Sequence, residues 1–193
     1  MRIFLAGASG VIGRRIVPLL AAQGHVVAGM TRSEANVEAL RGLGAEPVVC
    51  DVFDAARLRG AVIDFDPDLV MHQLTDLPDD ARRIRDNPSA NPRIRREGTR
   101  NLLAAAADSG ADRFLAQSVA WPLRGDGGAA VAEMEAMVLA AGGVILRYGQ
   151  FYGPGTYHPA ELPEPPRVDI DKAAARTVDV LDAPSGIIEV VDD

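Results

Sequence analysis

One cysteine, one lysine, one tryptophan and three histidines in a chain of 193 residues exclude several kinds of chemistry before any motif is read. A lone Cys50 can form neither an internal disulfide nor a multi-cysteine zinc site, and its place at the end of an apolar strand reads as burial. His25, His72 and His158 are too scattered to suggest a metal centre, so no metal ligands are assigned. No apolar run reaches the roughly 20 residues that span a bilayer, so no membrane partner is expected. The chain enters a strand at Arg2 with no charged leader and cleavage site, which makes a cytoplasmic location the expectation. Positive charge is also short: the net charge is −7 and the arginines are spread along the chain, which leaves no electrostatic basis for nucleic-acid binding. The densest basic stretch, ARRIRDNPSANPRIRR (81–96), reads as a solvated helical face and loop in preference to a subunit contact or anionic-ligand rim.

What is present is 48% hydrophobic residues, enough for one domain over residues 1–193 with a substantial core. Apolar runs alternate with helical patterns. Strands are predicted over 2–7, 25–32, 46–51, 68–74, 113–118, 143–149 and 186–193. Helices are predicted over 11–24, 33–44, 54–65, about 93–109, roughly 129–141 and 171–183. Strands that are apolar on both faces and separated by helices imply an α/β fold, a doubly wound parallel sheet. Two stretches break the rhythm. WPLRGDGG (121–128) is turn-rich, and GPGTYHPAELPEPPR (153–167) carries five prolines, so the region 150–170 reads as a Pro-rich rim or lid loop.

The first strand runs into GASGVIG (7–13) and then a helix. Gly7 allows a sharp turn, Gly10 lets a pyrophosphate approach the backbone, and Gly13 allows the helix to pack close to the sheet. Ser9 can add a hydroxyl, Val11 and Ile12 complete the turn, and the helix N-terminus offers free N–H groups to phosphates. This strand–turn–helix context makes the glycines a dinucleotide fingerprint. The second strand ends in MTRS with Arg32 where an NAD-preferring domain carries an acid, and a guanidinium fits a 2′-phosphate, so NADP is expected over NAD. Asp51 and Val52 after the third strand, and Leu74 and Thr75 after the fourth, should line the adenosine side of the same groove. Asp51 could equally be only the cap of the next helix.

GASGVIG, CDVFD (50–54), VMHQLT (70–75), EGTRNLLAAAADSGADRFLAQSVA (97–120) and LRYGQFYGPGT (146–156) together resemble the short-chain dehydrogenase/reductase superfamily, in its extended and atypical branch of NAD(P)-dependent epimerase/dehydratase-like proteins. That resemblance implies a Rossmann-like domain. It places Ser118 on the catalytic serine that polarises a substrate carbonyl, and Asn101 on the helix asparagine that supports the active site. The branch's Tyr-x-x-x-Lys pair should fall at Gly127 and Val131, and neither residue is there; the chain's one lysine, Lys172, reads as a surface residue at a later helix start. The chain is also shorter than that branch after Ser118, between YGPGT and RVDID, and beyond EVVDD, which predicts a reduced substrate-binding region. Helices flanking strands four and five pair in many members of the superfamily, which allows a homodimer.

These features lead first to an NADP-dependent oxidoreductase, a reductase of a small carbonyl metabolite with a non-standard catalytic set. Ser118 with a water, or Tyr148 or Tyr152 after the sixth strand, would take over the donor's role. A packed tyrosine with a satisfied hydroxyl is the structural alternative for either phenol. The second function class is a non-catalytic NADP-binding redox-sensing regulator. The third is an epimerase, dehydratase or isomerase with retained cofactor, which needs a base; Asp126, Glu133, Glu135 and His158 each read as solvated or capping residues.

Overall fold

In the computed structural model, residues 1–78, 80–86 and 88–192 are described, with the side chains of 81, 84 and 85 set aside. The strands are β1 (Arg2–Ala6), β2 (Val26–Thr31), β3 (Glu46–Val49), β4 (Leu69–His72), β5 (Arg113–Val119), β6 (Val144–Tyr148), β7 (Gln150–Tyr152), β8 (Arg167–Asp169) and β9 (Gly186–Val190). The α-helices are α1 (Gly13–Ala22), α2 (Val37–Gly42), α3 (Ala55–Phe65), α4 (Ala90–Arg93), α5 (Thr99–Ser109), α6 (Gly125–Ala140) and α7 (Ile170–Asp179). Seven strands form one parallel sheet in the order β3-β2-β1-β4-β5-β6-β9, and β7 and β8 form a separate parallel pair. This is the Rossmann-like doubly wound α/β architecture expected from the alternation of strand and helix.

Side-chain alternation divides the core in two. Ile3 and Leu5 of β1 point to one face and pack with Ile16 and Leu20 of α1 and Ala174 and Val178 of α7. Phe4 and Ala6 point to the other and pack with Leu58 and Val62 of α3 and Leu102 and Ala106 of α5. Both faces are covered, which is why β1 reads as an unbroken apolar run. Local signals fix the helix starts: Asp54 accepts from the Arg57 amide (3.1 Å), and Asp169 accepts from the Asp171 and Lys172 amides (3.0 Å each). Caps of this kind contribute about 1 kcal/mol each.

The chain leaves β1 toward β2 and β3, then crosses back to place β4 on the other side of β1. The reversal opens a crevice beyond the carboxyl ends of β1 and β4, where ligands sit in open parallel sheets. Cys50 is buried, as expected from its strand end. Among the described residues, no helix is long and apolar enough to cross a membrane.

Two elements differ from expectation in ways that matter for the site. The single helix predicted over 93–109 is interrupted: α4 runs into a π-helical turn, Ile94–Gly98, before α5. The wider turn brings Ile94 and Arg95, neighbours in sequence, to the buried side together. The Pro-rich stretch is irregular as expected, but its flanks are joined by the β7–β8 pair, with the Gln150 amide donating to the Pro166 carbonyl (2.8 Å).

Candidate cofactor and active site

At the crevice, Gly7 has φ +96, and a Cβ there would lie 2.6 Å from the Gln73 carbonyl oxygen. A Cβ on Gly13 would lie 2.2 Å from the Gly7 oxygen and 2.8 Å from Ala8 Cα. Both positions therefore require glycine for the turn itself. Gly10 does not: its added Cβ would meet only the Gly7 oxygen at 3.3 Å, and its open side faces the space in front of the turn. The Gly10 amide closes the turn on the Gly7 oxygen (3.0 Å), while the amides of Val11, Ile12 and Gly13 have no backbone acceptor among the described residues. Glycines that leave room and three undirected donors at the start of a ten-residue helix make a cradle suited to a phosphate.

The corner beyond the turn is tied together by Thr31. Its Oγ1 accepts from Ser9 Oγ (3.0 Å) and Asn36 Nδ2 (3.2 Å). Arg14 donates to the Ser9 carbonyl (2.8 Å) and to Asn36 Oδ1 (3.0 Å), and exposed Arg32 pairs with Asp76 at 3.2 Å. Thr31 adjoins Arg32 in MTRS, whereas Arg14 and Asn36 had no motif to mark them and only the folded corner brings them there. Asp51 is exposed and caps the Phe53 amide (2.9 Å), and Val52 is buried with its carbonyl accepting from Asn101 (2.9 Å). Asn101, the helix asparagine of the resemblance, thus ties α5 to the loop after β3. Leu74 is half-buried and Thr75 exposed at the end of β4.

The Leu74 peptide is held from both sides. Its amide donates to His72 Nδ1 (3.2 Å) and its carbonyl accepts from Gln117 (2.8 Å). The ring proton of His72 is therefore on Nε2, which donates to Thr99 Oγ1 (3.0 Å). Burial, with the nearby Arg95 charge, holds the His72 pKa down to about 3. The unfolded imidazole takes its proton near 6.5 and the folded one does not, so stability declines as pH falls from 6.5 toward 3, by up to about 1.4 kcal/mol per pH unit. In a His72→Gln variant, the gap between urea midpoints at neutral and mildly acid pH should narrow; an unchanged gap would remove His72 as its source.

At the catalytic end, Ser118 is buried and donates to Glu135 Oε1 at 2.6 Å. Glu135 also receives Arg147 in a two-point pair, Nε to Oε1 (2.9 Å) and Nη2 to Oε2 (2.6 Å). Glu135 was expected to be solvated, but it is 7% exposed on the inner face of α6 beside Met134 and Val138. Burial raises its pKa, yet the Arg147 and Ser118 hydrogen bonds outweigh that and leave it lowered. Glu133 and Asp126 are on the outer face, both paired with Arg96 at 2.8 Å.

Tyr148, expected as a substitute donor, is 2% exposed in the core between β6 and α7. Its hydroxyl is shared with Thr177 (2.6 Å) and receives Gln73 (3.3 Å), and burial pushes its pKa up to about 12. The Tyr152 hydroxyl donates to Asp192 (2.6 Å), which with burial raises its pKa. At Gly127, where the resemblance placed a tyrosine, an added Cβ would meet only Leu123 Cδ1 at 3.9 Å, so that side of α6 is open.

Residues 7–141 match the family described as NAD(P)H-binding. The chain belongs to that family. This NAD(P)H-binding chain is also 39% identical over 185 residues to a 3-diazoavenalumate denitrifying reductase of a Streptomyces species, a match covering 81% of this chain and 58% of the relative. The chain thus spans less than three-fifths of that relative's length. It shares its fold with the Thermus thermophilus UDP-glucose 4-epimerase solved with NAD (TM-score 0.81, 20% identity, 99% of this chain and 78% of the other). The Thermotoga maritima UDP-glucose 4-epimerase solved with UDP-glucose is as similar in fold (TM-score 0.81, 16% identity, 99% and 77%). The family match assigns residues 7–141 to NAD(P)H binding, and the solved structures agree with it in fold.

Proposed function

We propose that the protein is an NADPH-dependent reductase of a small electrophilic metabolite that needs no proton from a tyrosine. The observation that carries this reading is the contrast within the site: a complete phosphate cradle stands next to Ser118, Tyr148 and Tyr152 hydroxyls that are all engaged by protein groups. A phenol with a pKa near 12 in the core is a poor general acid. The named relative is a reductase of a diazo compound, and a diazo group suits this site better than a carbonyl. When bound, the reduced cofactor supplies a hydride; a carbon bearing a diazonium group takes it, becomes C–H and releases dinitrogen, with no proton required from the protein. The chain's own contribution is to hold phosphates on the Val11, Ile12 and Gly13 amides and to fix the Leu74 peptide beside the crevice.

NADP is favoured over NAD by Arg32, with Arg14 in the same corner, both able to meet a 2′-phosphate. Arg32→Ala should weaken NADPH binding about tenfold or more, the loss of one charge-assisted contact, and change NADH binding little. Equal effects on the two cofactors in a fluorescence titration would remove Arg32 as the discriminator. The activity test is NADPH oxidation with a benzenediazonium carboxylate and with the matching aldehyde, each corrected for the reaction without protein. Turnover with the diazonium alone is expected. Tight NADPH binding with no turnover on either would favour the redox-sensing alternative.

A further inference from the structure

One charged side chain inside the protein has no partner that matches it. Arg95 is 6% exposed, its Nε is enclosed without a hydrogen-bond partner, and its Nη1 meets only the Met134 sulfur at 3.7 Å. No carboxylate among the described residues lies within ion-pair distance of it. Glu135 is near enough to favour its charge, but the Glu135 oxygens are already taken by Ser118 and Arg147. The other titratable group in range is His72, which is neutral. Enclosing a cation in this way costs several kcal/mol unless something repays it.

The setting argues that the repayment is a ligand. Arg95 stands on the π-helical turn, a local distortion that recurs at functional sites, and that turn is clamped to α6 by Arg96 through Asp126 and Glu133. Met134, which the guanidinium touches, is buried two turns along α6 from Gly127, where an added Cβ would have room. His72 and Ser118, at the carboxyl ends of the neighbouring strands β4 and β5, belong to the same cluster: the Arg95 charge acts on His72, and Ser118 is bonded to Glu135, whose charge acts on Arg95.

We infer that Arg95 is the anchor for a carboxylate on the substrate, so that the small electrophile reduced here is an acid. A planar guanidinium with unused donors accepts a carboxylate by two parallel hydrogen bonds, and burial makes that contact strong. This rests on the reductase reading above and names its substrate class.

The test measures binding of acetate, butyrate, benzoate and cinnamate, each beside its amide, to the full chain with and without NADP. At least one carboxylate should bind ten times or more tighter than its amide, as a charge-assisted two-point contact requires. In Arg95→Met, an apolar replacement of similar length that buried sites tolerate, the preference should vanish while NADPH binding stays within about threefold. Arg95→Lys should recover part of it, and added guanidinium ion should recover part of it in Arg95→Ala. No preference in the natural chain, or a preference that survives in Arg95→Met, overturns the inference. Failure of the cofactor reading would show separately, as no NADPH binding by the natural chain, and the comparison made without NADP would still decide the role of Arg95.

Discussion

Gly13→Ala should lower NADPH affinity by about a hundredfold or more while leaving the far-ultraviolet circular dichroism close to that of the natural chain. The added methyl would stand 2.2 Å from the Gly7 carbonyl oxygen and 2.8 Å from Ala8 Cα, both backbone atoms. No side chain can swing aside to relieve that contact, so the turn must open. Opening it would separate the Val11, Ile12 and Gly13 amides proposed to act together on one phosphate, and each contact to a charged group is worth about 1.5–3 kcal/mol. Gly24→Ala is the control: its φ of +81 carries a backbone cost, but an added Cβ meets nothing within 4 Å and the position is at the far end of α1. That variant should lose roughly 1 kcal/mol of stability and keep its affinity. Normal NADPH binding by Gly13→Ala would sink the phosphate-cradle assignment.

Glu135→Ala carries the second large effect, this time on stability. One carboxylate joins Ser118 on β5, Arg147 on β6 and the inner face of α6, and it is the nearest negative charge to buried Arg95. Removing it leaves Arg147 without its anion and a buried hydroxyl without its acceptor, and takes away the charge that favours the Arg95 cation. Breaking a buried pair in this one-sided way costs about 3–5 kcal/mol. Arg147 is a third exposed and can turn to water, which points to the lower end, and in a domain of this size about 3 kcal/mol lowers the melting temperature by roughly 6–12 °C. Acid should act through the same group. Its folded pKa is below the usual 4.5, so its contribution is complete above 4.5 and is lost as pH falls through the lowered value. Calorimetry of Glu135→Ala at neutral pH checks the first statement; a melting temperature within 2 °C of the natural chain, about what less than 1 kcal/mol would give, would contradict it.

The parts of this fold that could be read in advance are those whose causes are local. The glycine turn is legible because Gly7 and Gly13 are each demanded by backbone within a few residues or across one strand pair. The strands are legible because covering both faces of the sheet writes unbroken apolar runs. Tyr148 illustrates a signal that was present but outweighed. Val144, Leu146 and Tyr148 alternate along β6, which puts the tyrosine with the leucine in the core and not at the mouth of the crevice. Glu135 is different in kind. Beside Glu133 in AEMEAMV it looks the same, and what separates them is a partner 12 positions later in β6 and another 17 positions earlier in β5. The π turn that aims Arg95 inward is likewise hard to read from a 3.6-residue period, because each side keeps that period and the extra residue shows only as a shift of phase between them.

The joined flanks of the Pro-rich loop have a consequence for how a ligand enters. The span between β7 and β8 reaches over the cradle: Arg15 holds the Pro154 carbonyl (2.5 Å) and Asp171 (2.6 Å), and the Tyr157 hydroxyl donates to the Pro78 carbonyl across the crevice. Its two ends stay together whether those contacts are made or broken, since the β7–β8 ladder is independent of them. The β7–β8 ladder therefore fixes where the span starts and ends, and the contacts to Arg15 and Pro78 fix where its middle rests.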